Sequence, residues 1–373
     1  MAGNRRDFLK AGVLGAGLVA AAPAAGVLAS GGGAKKKSLS ILVLGGTGFI
    51  GPHMVREALR RGHSVTLFNR GRTNNALFPD LETLKGDRNS NLEALEGRKW
   101  DAVIDNSGYV PRHVQNSARL LSSNISHYLF ISTVAVYADM TGANPEDAPL
   151  ASIEDERTEQ VTGETYGPLK ALCEKKVAEE IGDDRLTIMR PTYICGPGDH
   201  TDRFTYWPVR TADGGEMLWP GDPSNTMQII DVRDLANFVI DSLQSRVMGT
   251  YNCVTPVGKY SIANLLEDCQ AVTATTVDPV WVDEPFIYRH GVADDGGLPV
   301  WFPQTGADAR KFAFDESNAV AAGLSTRPVR ETIRATLEWW RTLSDERRDG
   351  IKAGLSKERE AELIALWKAE AAS

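Results

Sequence analysis

The apolar run Leu39, Ile41, Leu42, Val43 and Leu44 stops at a glycine turn, Gly45-Gly46-Thr47-Gly48-Phe49-Ile50-Gly51, and residues His53 to Arg61 then carry a helical pattern. Few folds accommodate that succession. A nearly continuous apolar strand is buried on both faces, as in a parallel sheet. Glycines at 45, 48 and 51 let backbone approach a ligand closely, while the helix that follows offers unpaired N–H groups and the positive end of its dipole. Between a strand and a helix, such a turn holds the pyrophosphate of a dinucleotide. Gly45, Thr47, Gly48, Phe49, Ile50 and Gly51 are therefore the first cofactor-binding candidates.

The alternation continues. A second apolar run spans Val65 to Phe68, a helix candidate lies near Asn91 to Leu95, and strands are expected at Ala102 to Ile104, Tyr128 to Ile131 and Leu186 to Met189. Helical patterns at Val114 to Leu121 and Ala171 to Ile181 separate the later strands. The fold class is α/β, a doubly wound parallel sheet (Rossmann fold) over 38–195. Beyond Gly196 the pattern loosens into a Pro/Gly/Trp-rich region, which fits a smaller, irregular C-terminal substrate-binding lobe over 196–340, partly interleaved with the first domain. Amphipathic helices are expected there at Asp234 to Leu243 and Val329 to Trp340, and 341–373 reads as a charged helical tail.

Residues 1–29 do not read as part of this fold. Asn4, Arg5, Arg6, Asp7, Phe8, Leu9 and Lys10 precede an uncharged Ala/Gly/Val/Leu run that ends in Val27, Leu28, Ala29. That arrangement resembles a twin-arginine export signal with cleavage near Ala29. Pro23 and the many small residues argue against a membrane span, and 30–37 reads as a linker, so the expectation is an exported protein without stable membrane insertion. A net charge of −8 opposes a nucleic-acid partner, since phosphate contacts come from Lys and Arg. Cys173, Cys195, Cys253 and Cys269 are too far apart for a metal or disulfide framework and are expected as buried thiols, with no metal site.

At the end of the second strand a carboxylate marks NAD and an arginine marks NADP. Asn69, Arg70 and Arg72 stand there, so NADP is favoured over NAD. Asp87 offers a carboxylate for an adenine amino group, and Arg88 beside it is counted with it among the cofactor-binding candidates. Tyr166 and Lys170, four apart, share one helix face. An ammonium beside a phenol of ordinary pKa near ~10 lowers it toward use as a base, and the pair is then suited to removing an alcohol proton as hydride leaves carbon.

The glycine motif, the Tyr-x-x-x-Lys pair and the run Phe130-Ile131-Ser132-Thr133-Val134-Ala135-Val136-Tyr137 together resemble the extended short-chain dehydrogenase/reductases, the NAD-dependent epimerase/dehydratase family, over Ser38 to Trp340. The resemblance implies Thr133 as the hydroxyl that orients the substrate oxygen, with Ser132 beside it. It also implies that Pro191 and Tyr193, in the run Arg190 to Pro197, hold the nicotinamide end of the cofactor. Asn106 and Ser107 replace the family's small apolar turn and are expected to keep the cofactor contact. Met227 stands where nucleotide-sugar epimerases carry an arginine for the diphosphate; Arg233 is near but out of register. His200 and Arg203 fall where relatives touch substrate, which makes them and Arg233 substrate candidates.

An exported enzyme has no outside supply of reduced cofactor, so the cofactor should travel bound and be restored in each cycle. The expectation is an epimerase or dehydratase-type hydride shuttle on a sugar or similar hydroxylated or carbonyl small molecule, not a nucleotide sugar. The alternatives are an NADPH-dependent carbonyl reductase and a non-enzymatic cofactor-binding or RNA-associated module. A homodimer through the helices around Val114 and Ala171 follows from the resemblance alone.

Overall fold

The computed structural model describes residues 37–292, 297–305 and 309–372. The segments expected as an export signal and a linker, apart from Lys37, lie outside the described residues.

The first half of the chain runs β1 (Ser40–Leu44), α1 (Gly51–Arg60), β2 (Ser64–Asn69), β3 (Thr83–Lys85), β4 (Ala102–Asp105), α2 (Pro111–Leu121), β5 (His127–Ile131), α3 (Tyr166–Ile181) and β6 (Leu186–Pro191). After it come β7 (Tyr193–Cys195), α4 (Tyr206–Ala212), β8 (Gly215–Pro220), β9 (Ile229–Asp231), α5 (Val232–Ser245), β10 (Gly249–Cys253), α6 (Ile262–Thr273) and β11 (Val277–Val282). Five helices close the chain: α7 (Glu284–Arg289), α8 (Ser317–Ala321), α9 (Val329–Arg341), α10 (Asp345–Asp349) and α11 (Lys357–Ala371).

Seven parallel strands form the main sheet in the order β10-β6-β5-β4-β1-β2-β3. Successive residues of β1 point to opposite faces, and both faces are covered. Ile41 and Val43 pack with Met54, Val55 and Phe238 of α1 and α5, whereas Leu42 and Leu44 pack with Val114, Ala118, Cys173 and Val177 of α2 and α3. That double burial is why β1 is apolar at every position. The chain leaves β1 for β2 on one side and enters β4 on the other, so a crevice opens at the carboxyl ends of β1 and β4. All four cysteines are buried and unpaired.

Two expectations are corrected here. In place of a helix near Asn91 to Leu95, a short strand, β3, is followed by a single 3-10 turn at Glu93–Leu95. Three residues are too few for either period to show. The charged stretch 341–373 is not a separate tail, because Leu363 and Ile364 of α11 are buried in the same core as Trp207 and Trp219. Glu360, 2% exposed, accepts from the Arg210 guanidinium at 2.6 Å and the Leu218 backbone N–H at 3.0 Å. Charge on the outer face of α11 hides that anchor from a reading of composition.

Candidate active site

The glycine turn lies at the mouth of the crevice. A methyl on Gly51 would stand 2.6 Å from the Gly45 carbonyl oxygen, so α1 can start this close to the turn only with glycine there. Gly48, by contrast, faces open space. Together they border a cavity of about 940 Å³ whose walls include Thr47, Phe49 and Ile50 from the turn, and Asn69, Arg70 and Arg72 from the end of β2. Asp87, Asn106, Ser107 and Ser132 extend the same wall, and Pro191 and Tyr193 close its far end. The residues fit a dinucleotide: the Asn69 and Asn106 amide nitrogens and the Ser132 hydroxyl are buried without a partner. Buried polar groups are rarely left so, and three of them along one cleft call for a polar ligand.

Arg88, expected beside Asp87 among the cofactor-binding residues, borders the cavity, but its guanidinium is turned to an internal partner. Its guanidinium forks onto Asp105 at 2.6 and 2.7 Å and reaches the Ser117 hydroxyl oxygen at 2.6 Å, while the Tyr128 hydroxyl donates to Asp105 at 2.7 Å. Asp105 ends β4 with its side chain wholly buried, and a buried carboxylate needs such a partner. The pair also accounts for the polar turn at 105–108. Asp105 accepts from the Ser107 N–H, and the Ser107 hydroxyl donates to the Leu44 carbonyl.

Lys170 is 3% exposed and lies behind the cavity wall rather than in it. Its ammonium donates at 2.7 Å to the carbonyls of Gly108 and Ile131 and stands 4.1 Å from the Phe130 ring centroid. Burial pushes its pKa down to about 8. Tyr166 opens α3, and Gly167 follows because an added methyl would meet the Ala135 carbonyl oxygen at 2.2 Å. The helix start is thereby seated on the 3-10 turn Val134–Val136, which Thr133 caps by accepting from the Ala135 N–H at 3.2 Å. The Thr133 hydroxyl and the Tyr166 phenol thereby line the same part of the cavity, close enough for Thr133 to influence the phenol's pKa.

The sequence expectation that Lys170 lowers the Tyr166 pKa is corrected. Burial raises it, and Tyr109 adds to the rise; the Thr133 hydrogen bond and the Arg203 charge pull it back. Lys170 is not among the largest influences on it; its ammonium is turned to the Gly108 and Ile131 carbonyls.

On the substrate side, His200 and Arg203 line the cavity as expected. Arg233 does not. Asp231 caps α5 and holds the Arg233 guanidinium at 2.6 Å, away from the cavity. Met227 is buried in the lobe core. Tyr109, Phe302, Arg310 and Phe312 also line the cavity and were missed. Arg310 lies over Phe302 and Arg203 over Tyr193, with centroid distances of 5.1 and 4.9 Å. No motif surrounds 302–312; only Tyr109, one residue past the Asn-Ser-Gly turn, had a neighbour that pointed to it.

Fold and site together are those of an enzyme of the extended short-chain dehydrogenase/reductase type. Residues 41–253, more than half of the chain, match the NAD dependent epimerase/dehydratase family, and the chain belongs to that family. Among curated relatives it is 26% identical over 340 residues to dTDP-4-dehydro-6-deoxy-D-allose reductase of Streptomyces bikiniensis, covering 81% of this chain and 96% of that one. It is 25% identical over 227 residues to the chloroplast stem-loop binding protein of 41 kDa b of Arabidopsis thaliana, covering 54% of each. The chain spans about half the length of the first curated relatives it matches. The Bordetella bronchiseptica enzyme WbmG, solved with NAD and UDP, shares the fold with a TM-score of 0.62 at 18% identity, covering 87% of this chain and 99% of that one.

Proposed function

We propose that this protein is an exported epimerase or dehydratase-type enzyme that keeps its nicotinamide nucleotide bound and acts on a hydroxylated small molecule other than a nucleotide sugar. The observation that carries this reading is the Tyr166 phenol and the Thr133 hydroxyl lining the same cavity as the glycine turn and its three unpartnered polar groups. When bound, oxidised NAD(P) supplies a hydride acceptor and a positive charge. Thr133 holds the substrate oxygen; Tyr166 takes the hydroxyl proton and returns it when the carbonyl is reduced again. Lys170 keeps the floor of the site in place through the Gly108 and Ile131 carbonyls. Arg70 and Arg72, with no acidic residue at the end of β2, support NADP.

Met227 leaves the usual diphosphate position without charge, which supports a substrate that is not a nucleotide sugar. Arg203 and Arg310 offer charge to an acidic group, so acidic sugar derivatives are the first compounds to test.

The test is mass spectrometry and absorbance of whatever denaturation releases from protein purified out of the exported fraction. Near-stoichiometric NADP or NAD is the expected result. Protein that is cofactor-free and binds neither nucleotide would refute the reading. Tyr166→Phe should retain the nucleotide and lose turnover, whereas a non-catalytic binding module would keep its function.

A further inference from the structure

Residues beyond Ser344 lie outside the family-matched segment, 41–253, yet they reach back to the cavity. One terminal nitrogen of Arg347 donates to both Asp202 carboxylate oxygens at 2.6 and 2.8 Å, and the Lys352 backbone N–H donates to the same carboxylate at 3.0 Å. The Lys352 ammonium donates to the His200 carbonyl at 3.0 Å. Asp202 is wholly buried and has a φ of 60°, a conformation that a non-glycine residue keeps only when its surroundings hold it. Between α10 and α11, Gly354 lies against the Tyr206 ring, where an added methyl would stand 2.0 Å away.

The opposite side of the same loop rests on the glycine turn. The His53 ring nitrogen is 2.8 Å from the Pro197 carbonyl, and the His200 ring meets Phe49 edge-on at 6.3 Å. Residues 197–203 are thus a strap between the cofactor cleft and the C-terminal segment. Asp202 faces that segment, while His200, Thr201 and Arg203 face the cavity.

We propose that Arg347, aided by Lys352, is a positioning residue that holds this strap against the cleft, so that the C-terminal segment sets how long the nicotinamide nucleotide stays bound. The inference rests on the nucleotide reading above. Without Arg347 the buried Asp202 carboxylate keeps only the Lys352 N–H and loses its counter-charge, and the strap opens to hydrate it. Arg203 moves with the strap, which removes one of the two influences that hold the Tyr166 pKa down.

The experiment uses the full chain loaded with NADP or NAD and follows nucleotide release into excess trap for the parent, Arg347→Ala, Arg347→Lys and Lys352→Ala. Arg347→Ala should release roughly 5- to 100-fold faster. Arg347→Lys, which keeps the charge on a shorter side chain, should fall between it and the parent. Lys352 is exposed, so Lys352→Ala should release nucleotide several-fold faster at an unchanged melting midpoint; it decides the matter if Arg347→Ala does not fold. A parent that retains nucleotide, with folded variants that release it at the parental rate, overturns the strap alone. A parent that binds neither nucleotide overturns the functional reading, and the strap with it.

Discussion

Gly167→Ala sets two effects against each other, and the structure decides between them. Alanine gains up to about 1 kcal/mol over glycine in a helix interior, less near the first turn. The new methyl would lie 2.2 Å from the Ala135 carbonyl oxygen. That oxygen belongs to the backbone of a turn whose flanks, Val134 and Val136, are buried, so no side-chain rotation relieves the clash. Overpacking of this kind costs about 1–3 kcal/mol, more when backbone must move. The clash wins, and a net loss of about 1–2 kcal/mol follows if α3 shifts outward. A shift carries Tyr166 away from Thr133, so turnover should fall by about tenfold or more, beyond what the stability loss explains. Urea unfolding reports the first effect as a lower midpoint at unchanged slope. A Gly167→Ala protein as stable and as active as its parent would show that α3 is not seated on this turn.

Lys170 gives a pH signature. Its pKa falls from 10.5 to about 8 on folding, so the folded protein releases this proton before the unfolded chain does. The penalty is fully present below pH 8 and is relieved as pH rises to 10.5, by about 3 kcal/mol at ~1.36 kcal/mol per unit. Paired unfolding curves of the parent and Lys170→Met should diverge by that amount in the parent's favour across the window, and a constant difference would mean an ordinary lysine. Arg88→Met should destabilise by about 3–5 kcal/mol by leaving Asp105 unpaired. Adding Asp105→Leu should recover most of the loss, and a strictly additive double variant would deny the coupling. Arg70→Ala with Arg72→Ala should weaken NADP binding by roughly 10- to 100-fold in calorimetry and leave NAD binding alone. An equal loss for both nucleotides would mean that the arginines do not read the 2′-phosphate.

Five strands of the main sheet, β1, β2, β4, β5 and β6, were legible because each is buried enough to write an apolar run into the sequence, whereas three-residue β3 and the polar edge strand β10 were not. The glycine turn and the end of β2 were legible for a related reason, since each stands at a strand end where backbone geometry restricts the residue, whereas Thr133 came from the family resemblance and Tyr166 from its spacing to Lys170 together with that resemblance. What the sequence concealed lies where tertiary contact rather than local geometry decides. Arg88 looked like a cofactor ligand because its carboxylate partner is 17 positions away on another strand. Lys170 shares a helix face with Tyr166, yet which way its ammonium turns depends on the carbonyls of β5 and of the turn after β4. Arg310, Phe302 and Phe312 reach the cavity from an irregular stretch of the lobe with no period to announce them.

The burial of α11 has a consequence for how the chain acquires its fold. Glu360 bonds to a backbone N–H 142 positions earlier, and Leu363 and Ile364 complete the core that holds Trp207 and Trp219. A growing chain therefore cannot close this lobe until its final helix has left the ribosome. Until then the tryptophan-rich layer lacks its cover and is exposed to chaperones and to self-association. Loss of the last helix to a protease or an early stop would return the whole lobe to that state, not merely shorten the protein.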